Sequence, residues 1–261
     1  MTMDWHLLVY PMLAGLLVLA THVPMGIEVL GRGIIFIDLA IAQVAGFGVI
    51  LADHLDSHAP WANQLAAALA ALVGALLLTW TEKRWPEIQE ALIGLLFVSA
   101  AAGGILLLAG NPHGGEHLQD LLAGQLLWAS GAQIALVAGL YALVLGLWLA
   151  FRDRMGRVGF YVLFALTVTA SVQLVGVLLV FASLIAPAVA FRTWQGWRRV
   201  LASWSLGALA YALGLLASAL WDWPAGAAVV CSLTMLAAVA LVLTSVRSDS
   251  AVKAFQAKLS G

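Results

Sequence analysis

Eight long apolar runs divide almost the whole of this chain. They cover residues 5–20, 34–52, 61–80, 91–110, 134–151, 160–191, 200–220 and 224–246. A helix needs about 20 apolar residues to cross a hydrocarbon core of about 30 Å, and most of these runs match that length. The composition agrees, since 63% of the residues are hydrophobic and the mean hydropathy is +1.01. We therefore predict an all-α polytopic membrane protein with about eight spans in a single transmembrane domain.

The run at 160–191 is too long for one span. As a single helix it would measure about 48 Å, well beyond the hydrocarbon core. We expect it to break, either as a re-entrant pair or as a short helix followed by a longer one.

The basic residues predict the direction of the spans. All 12 lysines and arginines fall into five clusters that occupy alternate loops: Arg32; Lys83 and Arg84; Arg152, Arg154 and Arg157; Arg192, Arg198 and Arg199; and Arg247, Lys253 and Lys258. If the run at 160–191 enters and leaves on one side, the positive-inside rule places every cluster in the cytoplasm. The amino terminus is then outside and the carboxyl terminus inside.

The remaining loops are rich in histidine and carboxylates. His54 and His58 are four residues apart, as are His113 and His117, and acidic residues lie beside both pairs. Imidazole and carboxylate suit zinc, manganese or iron, so these residues can hold an ion weakly at a channel mouth. Two other interpretations remain open, which are docking of a binding protein and plain hydrophilic loops.

Asp38 is the one acidic residue that the sequence places inside a span. A carboxylate in lipid is costly and should face a partner, a cavity or a subunit interface, although it can also cap or snorkel at the membrane boundary. Gln43 follows about 140° further around the helix and can share a broad inward face with Asp38.

Several motifs of catalysis are absent. The chain has no phosphate-binding G-x-x-x-x-G-K-[ST] loop, no H-E-x-x-H pair and no G-x-S-x-G elbow. Its single cysteine, Cys231, excludes an internal disulfide and a thiolate zinc cluster. These absences disfavour a membrane enzyme and favour a transport function. A proton-coupled carrier is one alternative, although such carriers normally need several ionisable groups at depth.

Four segments resemble the membrane subunits of zinc and manganese ABC importers. Residues 28–52 are similar to the signature second helix of that family, residues 90–97 to the start of its fourth span, and residues 120–130 to its G-N-x-L segment. The most specific match is V-G-V-L-L-V-F-A-S-L-I-A-P-A-V-A at residues 175–190. The matches keep their order and spacing over roughly residues 7–246.

The resemblance implies a permease with a type II ABC importer fold in a bacterial cytoplasmic membrane. It implies three protein partners, which are a second copy of the permease, a cytoplasmic ABC ATPase and an extracytoplasmic metal-binding protein. Divalent zinc, manganese or iron would be the substrate, ATP would bind the partner, and no cofactor or nucleic acid is expected. A non-metal cargo remains an alternative.

The resemblance also assigns roles to individual residues. Asp38 matches a family aspartate in the translocation path, but Ala42 and Gln43 occupy the serine–histidine position that follows it, which leaves Gln43 either as an amide-oxygen ligand or as a residue that supports the ligands. Residues 192–200 match the coupling helix that seats in the ATPase. The residues assigned to that contact are Trp194, Trp197, Arg198 and Arg199. An aromatic belt with orientation-setting arginines explains the same residues equally well.

Overall fold

The computed structural model describes residues 6–54, 60–108, 126–151, 154 and 156–259. Within these residues the predicted all-helical fold is confirmed. The α-helices are α1 (His6–Arg32), α2 (Ile37–His54), α3 (Pro60–Arg84), α4 (Gln89–Leu108), α5 (Gly131–Phe151), α6 (Arg157–Val175), α7 (Val177–Ala190), α8 (Gly196–Trp221) and α9 (Ala225–Leu259). Short 3-10 turns lie at Pro86–Ile88 and Leu126–Trp128.

The run at 160–191 breaks at Gly176, between α6 and α7. Gly176 has φ of 85° and ψ of 161°, a conformation that a residue with a Cβ rarely adopts. Helix α7 has 14 residues, about 21 Å, and is too short to cross the hydrocarbon core alone. Among the described residues, seven other helices are long and apolar enough to span a membrane. The apolar part of α2 (Ile37–Ala52), like α7, is shorter than these seven helices.

Helix α1 is longer than its apolar run predicts. It continues twelve residues beyond position 20 and ends at Arg32. The added part contains Thr21, His22 and Glu28, which lower the local hydropathy, yet His22 and Thr21 are completely buried by other helices. Packing against protein, not lipid, therefore accounts for the polar half of this helix.

Both ends of the broken segment lie at the same end of the helix bundle. The guanidinium of Arg32 at the end of α1 lies 4.1 Å from the ring centroid of Phe160 near the start of α6. Gly26, one and a half turns before Arg32, packs against the backbone of Leu184 in α7. The chain therefore rises along α6, turns at Gly176 and returns along α7 to the end from which it started.

Other basic clusters share this end, which we call the Arg32 end. Arg157 at the start of α6 pairs with Glu82 in the last turn of α3, with 3.5 Å between nitrogen and oxygen. Arg199 near the start of α8 contacts the end of α7. At the opposite end of the bundle, Tyr10 in α1 packs on Gly131 at the start of α5.

Candidate functional site

Asp38 lies in the first turn of α2 and is buried by the protein itself. Its residue exposure is 1%, and neither carboxylate oxygen has a hydrogen-bond partner. The amides of Asp38 and Leu39 face the carboxylate without reaching hydrogen-bond geometry. The helix macrodipole favours a negative charge in this first turn. Helix α2 packs chiefly on α3 and α4.

The entrance of α2 is tied to α4 by a second carboxylate. Glu90 in the first turn of α4 accepts a hydrogen bond from the amide of Phe36 at 3.3 Å, while its other oxygen is buried without a partner. Phe36 is two residues before Asp38. Two carboxyl groups, those of Asp38 and Glu90, thus lie at or beside the start of α2.

The residues that follow Asp38 do not complete a metal site within one chain. Gln43 is partly exposed, and the neighbouring Ala42 is buried in the core. Among the residues that the structure describes, no three histidine, cysteine or acidic side chains are placed to hold one ion.

The predicted outer histidines lie mostly outside the described residues. His54 is the last residue of α2, and its side chain is not described. His58, His113 and His117 fall in segments outside the described residues. Their role as ligands stays a prediction.

The predicted coupling segment differs from the helix that the resemblance implies. Residues 191–195 form a turn, and α8 begins at Gly196, whose φ is 61°. Trp197 and Arg198 project outward, and the exposed fraction of Trp197 is 70%. Trp194 packs partly on Phe191, with ring centroids 5.1 Å apart. Arg199 instead turns inward and donates a hydrogen bond to the backbone oxygen of Ala188 at 3.0 Å.

One group of functional interest was missed by sequence reasoning, a polar cluster in the middle of the bundle. It contains an imidazole and five hydroxyl groups from five helices, each at most 1% exposed: Thr21, His22, Tyr141, Ser171, Ser183 and Tyr211. Sequence reasoning could have singled out His22 alone, because it is the one histidine of six that lies inside an apolar helix and away from the loops. The hydroxyls gave no signal, since serine, threonine and tyrosine are common in apolar helices.

A sequence profile of the ABC 3 transport family matches this chain over two overlapping stretches, residues 4–160 and 152–244. The chain belongs to the ABC 3 transport family. Members of this family are metal-ion ABC transporter permeases, so the chain is a transport subunit and a multi-pass protein of the inner membrane. No curated protein sequence is similar enough to count as a match.

A solved structure supports the fold of this ABC 3 family member. The chain is similar to PsaBC from Streptococcus pneumoniae, determined in complex with an Fab, with a TM-score of 0.74. The alignment covers 91% of this chain and 91% of the PsaBC chain at 22% sequence identity. The predicted permease fold is therefore confirmed, while the cargo and partners of this chain do not follow from the likeness.

Proposed function

We propose that this chain is the permease subunit of an ATP-driven importer of divalent metal ions, namely zinc, manganese or iron. Two copies form the translocation path, a separate ABC ATPase binds at the Arg32 end, and an extracytoplasmic metal-binding protein delivers the ion to the opposite end. The observation that supports this best is Asp38, a buried carboxylate without a hydrogen-bond partner in the helix that matches the family signature.

Asp38 has the chemistry that a divalent cation requires. Carboxylate oxygens bind zinc, manganese and iron, and a negative charge offsets part of the cost of removing water from the ion. Because no complete ligand set exists among the described residues, one chain binds the ion weakly at this point. Weak binding suits a path, since an ion that is held tightly is not released.

The absence of a histidine beside Asp38 affects which metal is favoured. Imidazole is a good ligand for zinc, whereas carboxylate and amide oxygens are better suited to manganese. Gln43 supplies an amide one position beyond Ala42. Replacing Gln43 with histidine should therefore shift the preference of the importer toward zinc.

The test is uptake of radiolabelled zinc, manganese and iron by cells that lack their own importers and express the permease with its ATPase and binding protein. Asp38→Asn keeps the shape and removes the charge, so it should abolish uptake while expression and ATPase binding persist. The control is Asp222→Asn, the same chemical change at an exposed helix end, where φ of 55° also suits asparagine. Full uptake of all three metals by Asp38→Asn would show that the carboxylate is structural.

A further inference from the structure

The buried polar cluster contains a histidine whose hydrogen bonds determine its chemistry. Nδ1 of His22 lies 2.9 Å from the backbone oxygen of Val18. A carbonyl oxygen only accepts hydrogen bonds, so in the neutral ring Nδ1 carries the proton and donates it. The lone pair is then on Nε2, which is buried and has no hydrogen-bond partner. A backbone carbonyl that holds one ring nitrogen is the usual second-shell support of a metal-binding histidine.

The hydroxyl groups on one side of His22 form a directional chain. Ser171 donates to the backbone oxygen of Thr167 at 2.6 Å, so its oxygen accepts the hydrogen bond from the hydroxyl of Tyr141. Thr21 lies against the same Tyr141 hydroxyl and 3.0 Å from Nδ1 of His22. Helices α1, α5 and α6 are thereby joined by groups that all have partners.

The stripe of α1 that contains His22 packs against α7 and α8. Gly15, His22 and Gly26 follow one stripe of α1, because seven residues make about two turns and four make about one. A Cβ at Gly15 would overlap the ring of Tyr211 in α8, and one at Gly26 would overlap the backbone of Leu184 in α7. His22 therefore lies on this stripe of α1, between these two contacts along the helix.

A second hydroxyl pair is buried between α7 and α8. Ser183 in α7 and Tyr211 in α8 are hydrogen-bonded at 2.9 Å, and both residues are completely buried. Their oxygens retain lone pairs after this bond forms. Nε2 of His22 and these two hydroxyl groups are thus completely buried in three helices that pack on one another, and Nε2 makes no hydrogen bond to either hydroxyl.

The depth of the cluster is that of a transport site. His22 is ten residues before Arg32, which places it about 15 Å along α1 from the Arg32 end. That distance is about half of the hydrocarbon core. Asp38, in the first turn of α2, lies much closer to the Arg32 end. An ion that passes only Asp38 would cross the middle of the membrane without a ligand, at a high desolvation cost.

We propose that His22 is a second ligand for the transported divalent cation, binding it through Nε2 at mid-membrane depth with hydroxyl oxygens of Ser183 and Tyr211. This inference rests on the proposed function. It also gives α7 a role, because the helix that carries Ser183 ends at the turn before Trp197. Occupation of the site would therefore act directly on the helix that leads to the proposed ATPase contact.

The first test looks for the imidazole ligand directly. The full-length permease is purified with its ATPase, without a histidine tag, after the other five histidines are replaced by asparagine, so that His22 is the sole imidazole of the permease. The ATPase is used as a variant without surface histidines, so that its imidazoles do not bind the probe metal. X-ray absorption at the cobalt edge, with Co²⁺ as probe, should show one imidazole ligand. A cobalt ion coordinated only by oxygen would overturn the proposal.

Two substitutions distinguish metal binding by His22 from a purely structural role of this residue in α1. His22→Asn places an amide nitrogen near Nδ1 and keeps the bond to Val18, whereas His22→Gln places its amide near Nε2. We expect His22→Asn to weaken Co²⁺ binding and slow zinc uptake by on the order of tenfold or more, since even supporting residues of metal sites contribute about tenfold. His22→Gln should lie between that variant and wild type. Wild-type binding and uptake in His22→Asn would mean that His22 is structural.

A control variant shows whether the loss of any buried hydroxyl has the same effect, and uptake by wild type tests the proposed function separately. Thr79→Val removes a buried hydroxyl that bonds only to its own helix, to the oxygen of Ala75 at 2.8 Å, and should leave both measurements unchanged. If wild type imports none of the three metals, the proposed function fails. If wild type imports metal and His22→Asn does so equally, this inference alone fails.

Discussion

Arg199 donates a hydrogen bond from its guanidinium to the backbone oxygen of Ala188 at 3.0 Å, joining the start of α8 to the end of α7. The last carbonyls of a helix have no donor within the helix and need partners from elsewhere. Two hydroxyls bind neighbouring carbonyls of the same helix end: Ser203 to Pro187 at 2.9 Å and Thr244 to Ala190 at 3.3 Å. The turn at residues 191–195 therefore connects two helices, α7 and α8, that are joined by hydrogen bonds.

Arg199 and Arg198 should behave differently, although they are neighbours. Arg199→Ala leaves the oxygen of Ala188 without its donor and should lower the free energy of unfolding by about 1–3 kcal/mol. Arg198 is exposed, and Arg198→Ala should change stability little. The measurement is the thermal midpoint of the purified permease in detergent. Equal midpoints for the two variants would contradict the structural role of Arg199.

Trp197 and Arg198 should carry the contact with the ATPase. Exposed tryptophan and arginine are the residue types that most often dominate binding energy at interfaces. The double variant Trp197→Ala with Arg198→Ala should insert normally yet bind the ATPase less well in a co-purification assay. Trp221→Ala, which removes an exposed tryptophan in the last turn of α8, is the matched control. Normal ATPase binding by the double variant would move the contact to the loop at residues 152–157.

The lack of a side chain at Gly26 should be what allows α1 to pack closely on α7. A Cβ at this position would overlap the backbone oxygen of Leu184, which cannot move as a side chain can. Gly26→Ala should therefore destabilise the protein by about 1–3 kcal/mol. Gly139→Ala is the control, because no atom lies within 4 Å of its added Cβ. Alanine there should be neutral or stabilising by up to about 1 kcal/mol, and a similar loss in both variants would contradict the packing argument.

The basic clusters should all face the cytoplasm. In a Cys231→Ser background, single cysteines at Ser57 or Gly114 should react with a membrane-impermeant maleimide added outside intact cells. Cysteines at Gly156 or Gly196 should react only after the membrane is opened. Opposite labelling of Gly156 and Gly196 would contradict the return of α7 to the Arg32 end.

Much of the architecture was predictable because the bilayer imposes a length and a polarity on each span. Apolar runs mark the helices, and the excess length of residues 160–191 required a break, which lies at Gly176. The alternation of basic clusters required that the broken segment return to its starting side, and the contacts of Arg32 with Phe160 and Gly26 with Leu184 agree. These features follow from local composition and can be read along the chain.

The candidate site was only partly predictable, because its chemistry depends on which helices meet. Sequence singled out Asp38 as a carboxylate in a span, but its enclosure by the chain's own helices follows from packing. Arg198 and Arg199 look alike in sequence, and only the approach of α7 turns Arg199 inward to Ala188. The sequence alone determined the number and approximate position of the spans and the need for a break within residues 160–191. Tertiary structure decided which polar groups are buried together, since Tyr141 and Ser171, or Ser183 and Tyr211, meet only when distant segments pack against each other.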